Sequence, residues 1–180
     1  ERQYRRLERI TVTDHLTGAY NRRYMDRKIN DLLERYNRNK DISSIITFDI
    51  DNFKIINDQY GHSVGDEVLV QIAKNTKERV RSLDRVCRSG GEEFVVLLPD
   101  TTEDEARALC EKLRTSISQL PLLQSVTVTI SCGVSAVVAN DTKDNWLKRS
   151  DQAMYKAKNN GKNNVVVCNQ INFSEAYAEA

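Results

Sequence analysis

Apolar residues recur along this chain with two spacings, and the switches between them outline its elements. Tyr24, Met25, Ile29, Leu32, Leu33 and Tyr36 keep helical spacing after the breaker Gly18, which predicts an amphipathic helix. Ile45-Ile46-Thr47-Phe48 is a short apolar run leading into Asp49-Ile50-Asp51. It predicts a strand buried on both faces whose carboxyl end presents acids. Residues 52–59 read as a short helix, 61–66 as a loop, and Val64, Val68, Leu69, Ile72 and Ala73 as a helix running to about Val80. Residues 85–89 and 94–98 read as strands joined at Gly90-Gly91, two glycines expected to supply the positive φ of a tight hairpin turn. Thr102-Glu103-Asp104-Glu105 has the form of a capping box and opens a helix on Ala106, Leu109, Leu113 and Ile117, ended by Pro121. Val126, Val128 and Ile130 alternate with threonines and predict a strand continuing through Gly133 and Val134. A helix on Trp146, Leu147, Met154 and Ala157 stops at Gly161, and Val165-Val166-Val167 forms a last strand.

The order β-α-α-β-β-α-β-α-β contains a split βαβ, so the expected fold class is α/β (α+β), a mixed central sheet flanked by helices with an exposed hairpin. Residues 1–12 are charged, with Leu7 and Ile10 among few apolar positions, and read as the end of a helix entering from an upstream domain. Residues 13–168 form the domain proper, and 169–180 a polar tail. At 180 residues, 39% of them hydrophobic and 29% charged, the chain suits one globular domain. No apolar run reaches membrane-spanning length and no signal peptide is visible, so a cytoplasmic domain is expected, and a chain that does not begin with Met reads as a piece of something longer. A net charge of +1 gives no global field for nucleic acid. The four cysteines lie far apart without a C-x-x-C pair, which argues against a zinc site or a disulfide framework.

The chemistry concentrates in Arg88-Ser-Gly-Gly-Glu-Glu-Phe94. Missing side chains at Gly90 and Gly91 let a bulky ligand approach the backbone, and the adjacent Glu92 and Glu93 are expected on opposite faces of a strand. If the strand ending at Asp49 lies beside this hairpin, Asp49, Asp51, Glu92 and Glu93 converge at one edge of the sheet. Hard oxygen ligands of this kind point to Mg²⁺ or Mn²⁺ rather than zinc. Palm-type polymerases hold two metals for nucleotidyl transfer with acids so placed. The plain alternatives are a solvated turn, and a helix cap for Asp49 or Asp51. Lys54, Lys158 and Lys162 are candidate phosphate partners, although Lys156, Lys158 and Lys162 also answer a helix dipole. Asn57 and Asp66 could read a base, since an aspartate accepts from two N–H groups of guanine. His62 follows a glycine and reads as a surface or hydrogen-bonded histidine.

Asp49-Ile-Asp-Asn-Phe-Lys-Ile-Ile-Asn-Asp58, Gly61-His-Ser-Val-Gly-Asp66 and Arg88-Ser-Gly-Gly-Glu-Glu-Phe94 together resemble the GGDEF domains, the diguanylate cyclases. Asp14-His-Leu-Thr-Gly-Ala-Tyr-Asn-Arg-Arg23 resembles their amino-terminal turn, and Asp151-Gln-Ala-Met-Tyr-Lys-Ala-Lys158 with Gly161-Lys-Asn163 their carboxy-terminal signature. The resemblance implies a palm-like fold and condensation of two GTP into cyclic di-GMP and two pyrophosphates, in two domains meeting face to face. It implies Asp49, the Ile50 carbonyl, Glu92 and Glu93 as ligands of Mg²⁺ or Mn²⁺, two ions per site, with Asp49 and Glu93 as the catalytic acids. Substrate contacts are implied for Asn57 and Asp66 on guanine, for His62, for Lys54, Lys158 and Lys162 on phosphate, and for Gly90 and Gly91.

Two positions depart from the family pattern. Ser89 stands where an aromatic residue is usual, which is expected to loosen packing under the hairpin. Lys162 stands where arginine is common, keeping the charge but losing a bidentate grip. Arg81-Ser-Leu-Asp84 has the spacing of the family's R-x-x-D inhibitory product site, with Lys112 near the position of a second arginine. An arginine fork suits phosphate or a guanine edge there; the plain alternative is a surface ion pair. Partners implied are GTP, cyclic di-GMP as product and inhibitor, and a transient or upstream-driven second copy, with neither nucleic acid nor membrane insertion. The competing functions are a degenerate domain that binds GTP or cyclic di-GMP, and a nucleotidyltransferase with another product.

Overall fold

A computed structural model describes residues 12–123 and 126–168. The expected leading helix and polar tail fall on 1–12 and 169–180, and of these only Val12 lies among the described residues. The elements run α1 (Arg22–Asn39), β1 (Ser43–Ile50), α2 (Phe53–Tyr60), α3 (His62–Arg79), β2 (Arg85–Gly90), β3 (Glu93–Pro99), α4 (Glu103–Ser118), β4 (Ile130–Ala136), α5 (Lys143–Asn159) and β5 (Val165–Val167). The strands form one sheet in the order β2-β3-β1-β4-β5. β1 pairs antiparallel with both β3 and β4, and β4 pairs parallel with β5, so the sheet is mixed as expected. Among the described residues no helix is long and apolar enough to cross a membrane.

Alternation along the central strand assigns its two faces. Ile46, Phe48 and Ile50 pack with Phe94, Val96 and residues of α2, α3 and α4 in the larger core. Ile45 packs with Val95, Leu97, α1 and Trp146 of α5 in a second core. The period of 2 therefore puts Asp49 on the α1/α5 face, with Ile45 and Thr47. Burying both faces leaves all eight residues of β1 buried, which is why it reads as a continuous apolar run. α5 crosses β4 closely: a Cβ on Gly133 would sit 2.0 Å from the Ser150 carbonyl, and Ser150 Oγ donates to Thr47 Oγ1 at 2.7 Å. The capping box forms, with Thr102 Oγ1 accepting from Glu105 N and the Glu105 carboxylate accepting from Thr102 N.

Three expectations need correction. Residues 62–66 are not a loop but the first turns of α3, because Gly61 alone, at φ 88°, makes the corner between α2 and α3. Residues 126–129 are outside the strand, which starts at Ile130; β1 ends at Ile50, opposite Ile130, and beyond that pair Asp51 N donates to the Thr129 carbonyl at 2.9 Å without extending the ladder. The hairpin reverses at Gly91-Glu92 rather than Gly90-Gly91, and neither glycine has φ in the left-handed region. A register shift at Ser89 absorbs one residue ahead of the turn and lets Gly90 pair with Glu93. All four cysteines are free and buried.

Candidate active site

The register of β1 on β3 sets Asp49 directly opposite Glu93, so the two acids leave the same face of the sheet beside the hairpin. Glu92 lies in the turn, not on the opposite strand face as expected, and its carbonyl accepts from Ile50 N at 3.3 Å. α5 completes the group from above: Lys158 Nζ lies 3.0 Å from Asp49 Oδ1. Burial pushes the Asp49 carboxyl up to about 6; Lys158 pulls it down, and the charges of Glu92 and Glu93 push it up again. Asp151, two turns before Lys158 on the same side of α5, is also raised to about 6, by desolvation first and the Glu93 charge next, with Arg22 opposing. The sequence pattern contained Asp151 within a motif but assigned it no part in this field.

Asp51 does not join these acids. Its carboxylate accepts from Thr129 Oγ1 at 2.7 Å, Ser131 Oγ at 2.6 Å and Asn163 N at 3.0 Å. Nor is it a helix cap: the N-cap of α2 is Asn52, φ 56°, which makes no side-chain cap bond. Asp51 instead ties the end of β1 to β4 and to the turn after α5, which carries Lys162. Lys162 Nζ reaches Asn52 Oδ1, next to Asp51 in the chain.

Asn57 and Asp66 come together through Gly65. A Cβ at Gly65 would fall 1.8 Å from Asn57 Oδ1, so only glycine lets α3 close onto this side chain. Asn57 Oδ1 is buried without a hydrogen-bond partner, a donor-seeking atom against Gly65, the residue before the exposed Asp66. His62 and Lys54 are both exposed at the amino ends of α3 and α2. Gly90 and Gly91 face open space, with nothing within 4 Å of an added Cβ.

The donor set fits a hard divalent cation. Mg²⁺ usually takes one or two carboxylates and leaves its other positions to water and phosphate oxygens. Among the described residues no three Asp, Glu, His or Cys side chains close into a metal-holding group. Asp49, Glu93 and a backbone carbonyl would be enough for such an ion, and a cation there would relieve the carboxylate field that burial creates at Asp49.

The hairpin is braced from below. Arg88 Nη2 and Nε donate to the Gly91 carbonyl at 2.7 and 3.0 Å, while Nη1 donates to Asp14 Oδ1 at 3.1 Å. Asp14 in turn accepts from Thr17 N and Oγ1, so the amino-terminal turn holds the hairpin tip. At the other end of β2, some six residues or roughly 20 Å from the tip, a separate cavity opens. Its volume is about 350 Å³, and Arg79, Arg81, Asp84, Thr101, Glu105 and Lys112 help line it. Asp84 is no surface ion-pair partner: its Oδ2 accepts from the Arg81 backbone N–H at 2.7 Å, and burial raises its carboxyl above the ordinary value. Arg79, a further cation in this cavity, carried no signal in the sequence.

A mixed sheet flanked by helices on both faces, with acids at a strand end beside a hairpin, is the palm-like α+β class. The family model described as "Diguanylate cyclase, GGDEF domain" matches residues 11–164, and the chain belongs to this family. It is 44% identical over 163 residues to the response regulator PleD of Caulobacter vibrioides, covering 87% of this chain and 36% of that protein. The chain thus spans about a third of the length of this curated relative. The active GGEEF domain of a diguanylate cyclase from Vibrio cholerae superposes with TM-score 0.80 at 37% identity, over 84% of this chain and 98% of that one. The coiled coil and GGDEF domain of DgcB from Caulobacter crescentus, solved in complex with c-di-GMP, gives TM-score 0.87 at 24% identity, a likeness of fold, over 92% and 90%.

Proposed function

We propose that this chain is a diguanylate cyclase, condensing two GTP into cyclic di-GMP with release of two pyrophosphates. The observation that carries the reading is Asp49 opposite Glu93, with Lys158 above them. Asp49, Glu92, Glu93 and the Ile50 carbonyl are the proposed holders of Mg²⁺ or Mn²⁺, two ions per site. When bound, the metal neutralises charge on the phosphates. Lys158, Lys162 and Lys54 are the side chains that would meet the triphosphate. Gly90 and Gly91 leave room for it along the backbone, and His62 contacts the nucleotide. Glu93 accepts the proton of the attacking 3′-hydroxyl. Each half-site holds one GTP, so the symmetric product requires two copies face to face. A GTP-rich cytoplasm is the proposed setting. Incubation with GTP and Mg²⁺ or Mn²⁺ is expected to give cyclic di-GMP and pyrophosphate by mass spectrometry. Absence of product with either metal at high protein concentration leaves a nucleotide receptor instead.

Base choice rests on Asp66 and the unpartnered Asn57 Oδ1. Asp66→Asn presents an N–H₂ to the guanine N–H pair, and GTP affinity is expected to fall by about 10- to 100-fold. Because Asp66 is exposed, the melting temperature stays level. Calorimetry with GTP checks this, and equal affinity in both proteins removes Asp66 from the site.

The cavity at Arg81 and Asp84 is the proposed site of product inhibition, with Lys112 and Arg79 as added cations. Arg81 holds Asp84 through its backbone N–H, so Arg81→Ala removes the guanidinium and leaves that turn intact. Affinity for cyclic di-GMP is expected to fall by about tenfold or more, with inhibition lost in parallel. Unchanged calorimetry and unchanged inhibition place the product elsewhere.

A further inference from the structure

Ser89 occupies the one irregular position of the catalytic hairpin. The register of β2 on β3 shifts between Arg88 and Gly90, so Ser89 has no partner residue across the ladder. A bulged residue is released from strict alternation and can aim its side chain along the hairpin. Here Ser89 Oγ donates to Glu93 Oε1 at 2.6 Å and lies 3.4 Å from the Glu93 carbonyl. No other hydrogen bond to the Glu93 carboxylate occurs among the described residues. The loosened packing expected from a small residue at this position is therefore accompanied by a new polar contact. Arg88, next in the chain, holds the turn itself through the Gly91 carbonyl, so Ser89 is not needed to close the hairpin.

We infer that Ser89 is a positioning residue, fixing one oxygen of Glu93 so that the other is presented to the reacting hydroxyl or metal. A carboxylate on a three-bond side chain otherwise samples several rotamers, and orientation is what a catalytic acid near two other acids lacks. A charge-assisted O–H···O⁻ bond of this length is short and strong enough to select one rotamer. Ser89 touches neither Asn57 nor Asp66 nor a lysine of the phosphate set, so it acts on turnover rather than on GTP binding. This inference rests on the cyclase reading above.

The test compares Ser89→Ala and Ser89→Thr with wild type. Alanine removes the hydroxyl from a half-exposed site; threonine retains it and suits a strand. In Ser89→Ala kcat is expected to fall by about tenfold with KM for GTP changed by less than about twofold, the signature of an interaction used in turnover. Ser89→Thr is expected to restore kcat to within about threefold of wild type, since the donor returns. The Glu93 side-chain ¹³Cδ resonance, assigned by its loss in Glu93→Gln, is expected to move in the alanine variant and stay near its wild-type position in the threonine one. A purely structural role would lower the melting temperature and leave the kcat-to-KM split absent. Wild-type kcat in Ser89→Ala, or no rescue by threonine in a folded protein, overturns the inference while the cyclase reading stands. An unmoved Glu93 resonance overturns the hydrogen bond itself, independently of activity. A wild type that forms no product overturns the cyclase reading and with it any catalytic part for Ser89.

Discussion

Replacing Glu93 by Gln is expected to lower turnover by at least about a thousandfold, the scale of losing the proposed general base and metal ligand at once. The substitution is isosteric and sits at the first residue of β3, where Phe94 behind it stays fully buried and stacked on Phe48 at 5.3 Å. The hairpin brace from Arg88 to Gly91 does not involve Glu93. Ser89 can still donate to the amide oxygen. Fold and GTP affinity should therefore survive, because Asn57 and Asp66 lie on other elements. Product analysis by mass, calorimetry with GTP and thermal melting separate the outcomes. Turnover above a tenth of wild type would remove Glu93 from the chemistry.

Asp49→Asn is expected to abolish turnover and yet stabilise the metal-free protein. The Asp49 carboxyl is pushed up to about 6 by burial, against an ordinary value of 3.8. A folded-state value above the unfolded one means that the native state holds the proton more tightly. Its favourable contribution is complete below about pH 4 and is lost as pH rises through about 6, so the ionised carboxylate opposes folding at pH 8. Lys158 offsets part of this, and at 32% side-chain exposure it can turn to water when the charge is removed. At pH 8 and without divalent metal, the Asp49→Asn substitution should raise the melting temperature by about 2–4 °C, the scale of one kcal/mol in a domain of this size. The gain should vanish near pH 4. Added Mg²⁺ should stabilise wild type and leave the variant unmoved. A variant that melts lower at pH 8 would show that the Lys158 pair outweighs burial.

Local signals in the sequence determined the elements. The apolar period identified α1, β1 and α4, Thr102 with Glu105 specified a helix start, and Gly90-Gly91 marked a hairpin to within one residue. These features depend on residues a few positions apart, so the local pattern contains the physics. The signature acids and glycines likewise marked the site as a set of residue types.

Tertiary structure decided what each of them touches. Two acids in Asp49-Ile50-Asp51 look equivalent in the chain, yet β1 ends at Ile50, so Asp49 stays in the strand under α5 at Lys158 while Asp51, in the turn beyond, is consumed by Thr129, Ser131 and Asn163. Residues 126–129 alternate like a strand but lie outside it, because β1 ends at Ile50 and only Thr129 is tied on, through Asp51. Residues 62–66 read as a loop, but one positive-φ glycine makes the whole corner and packing of Gly65 on Asn57 lets the helix begin at once. Ser89 looked like a lost aromatic until the register shift on β3 aimed it at Glu93. The cavity joining Arg81 and Asp84 to Lys112 and Arg79 exists only where the end of α3, the turn after it, the end of β3 and α4 meet. Pairing register and contacts between distant elements depend on two or more segments at once, so no single stretch of sequence contains them.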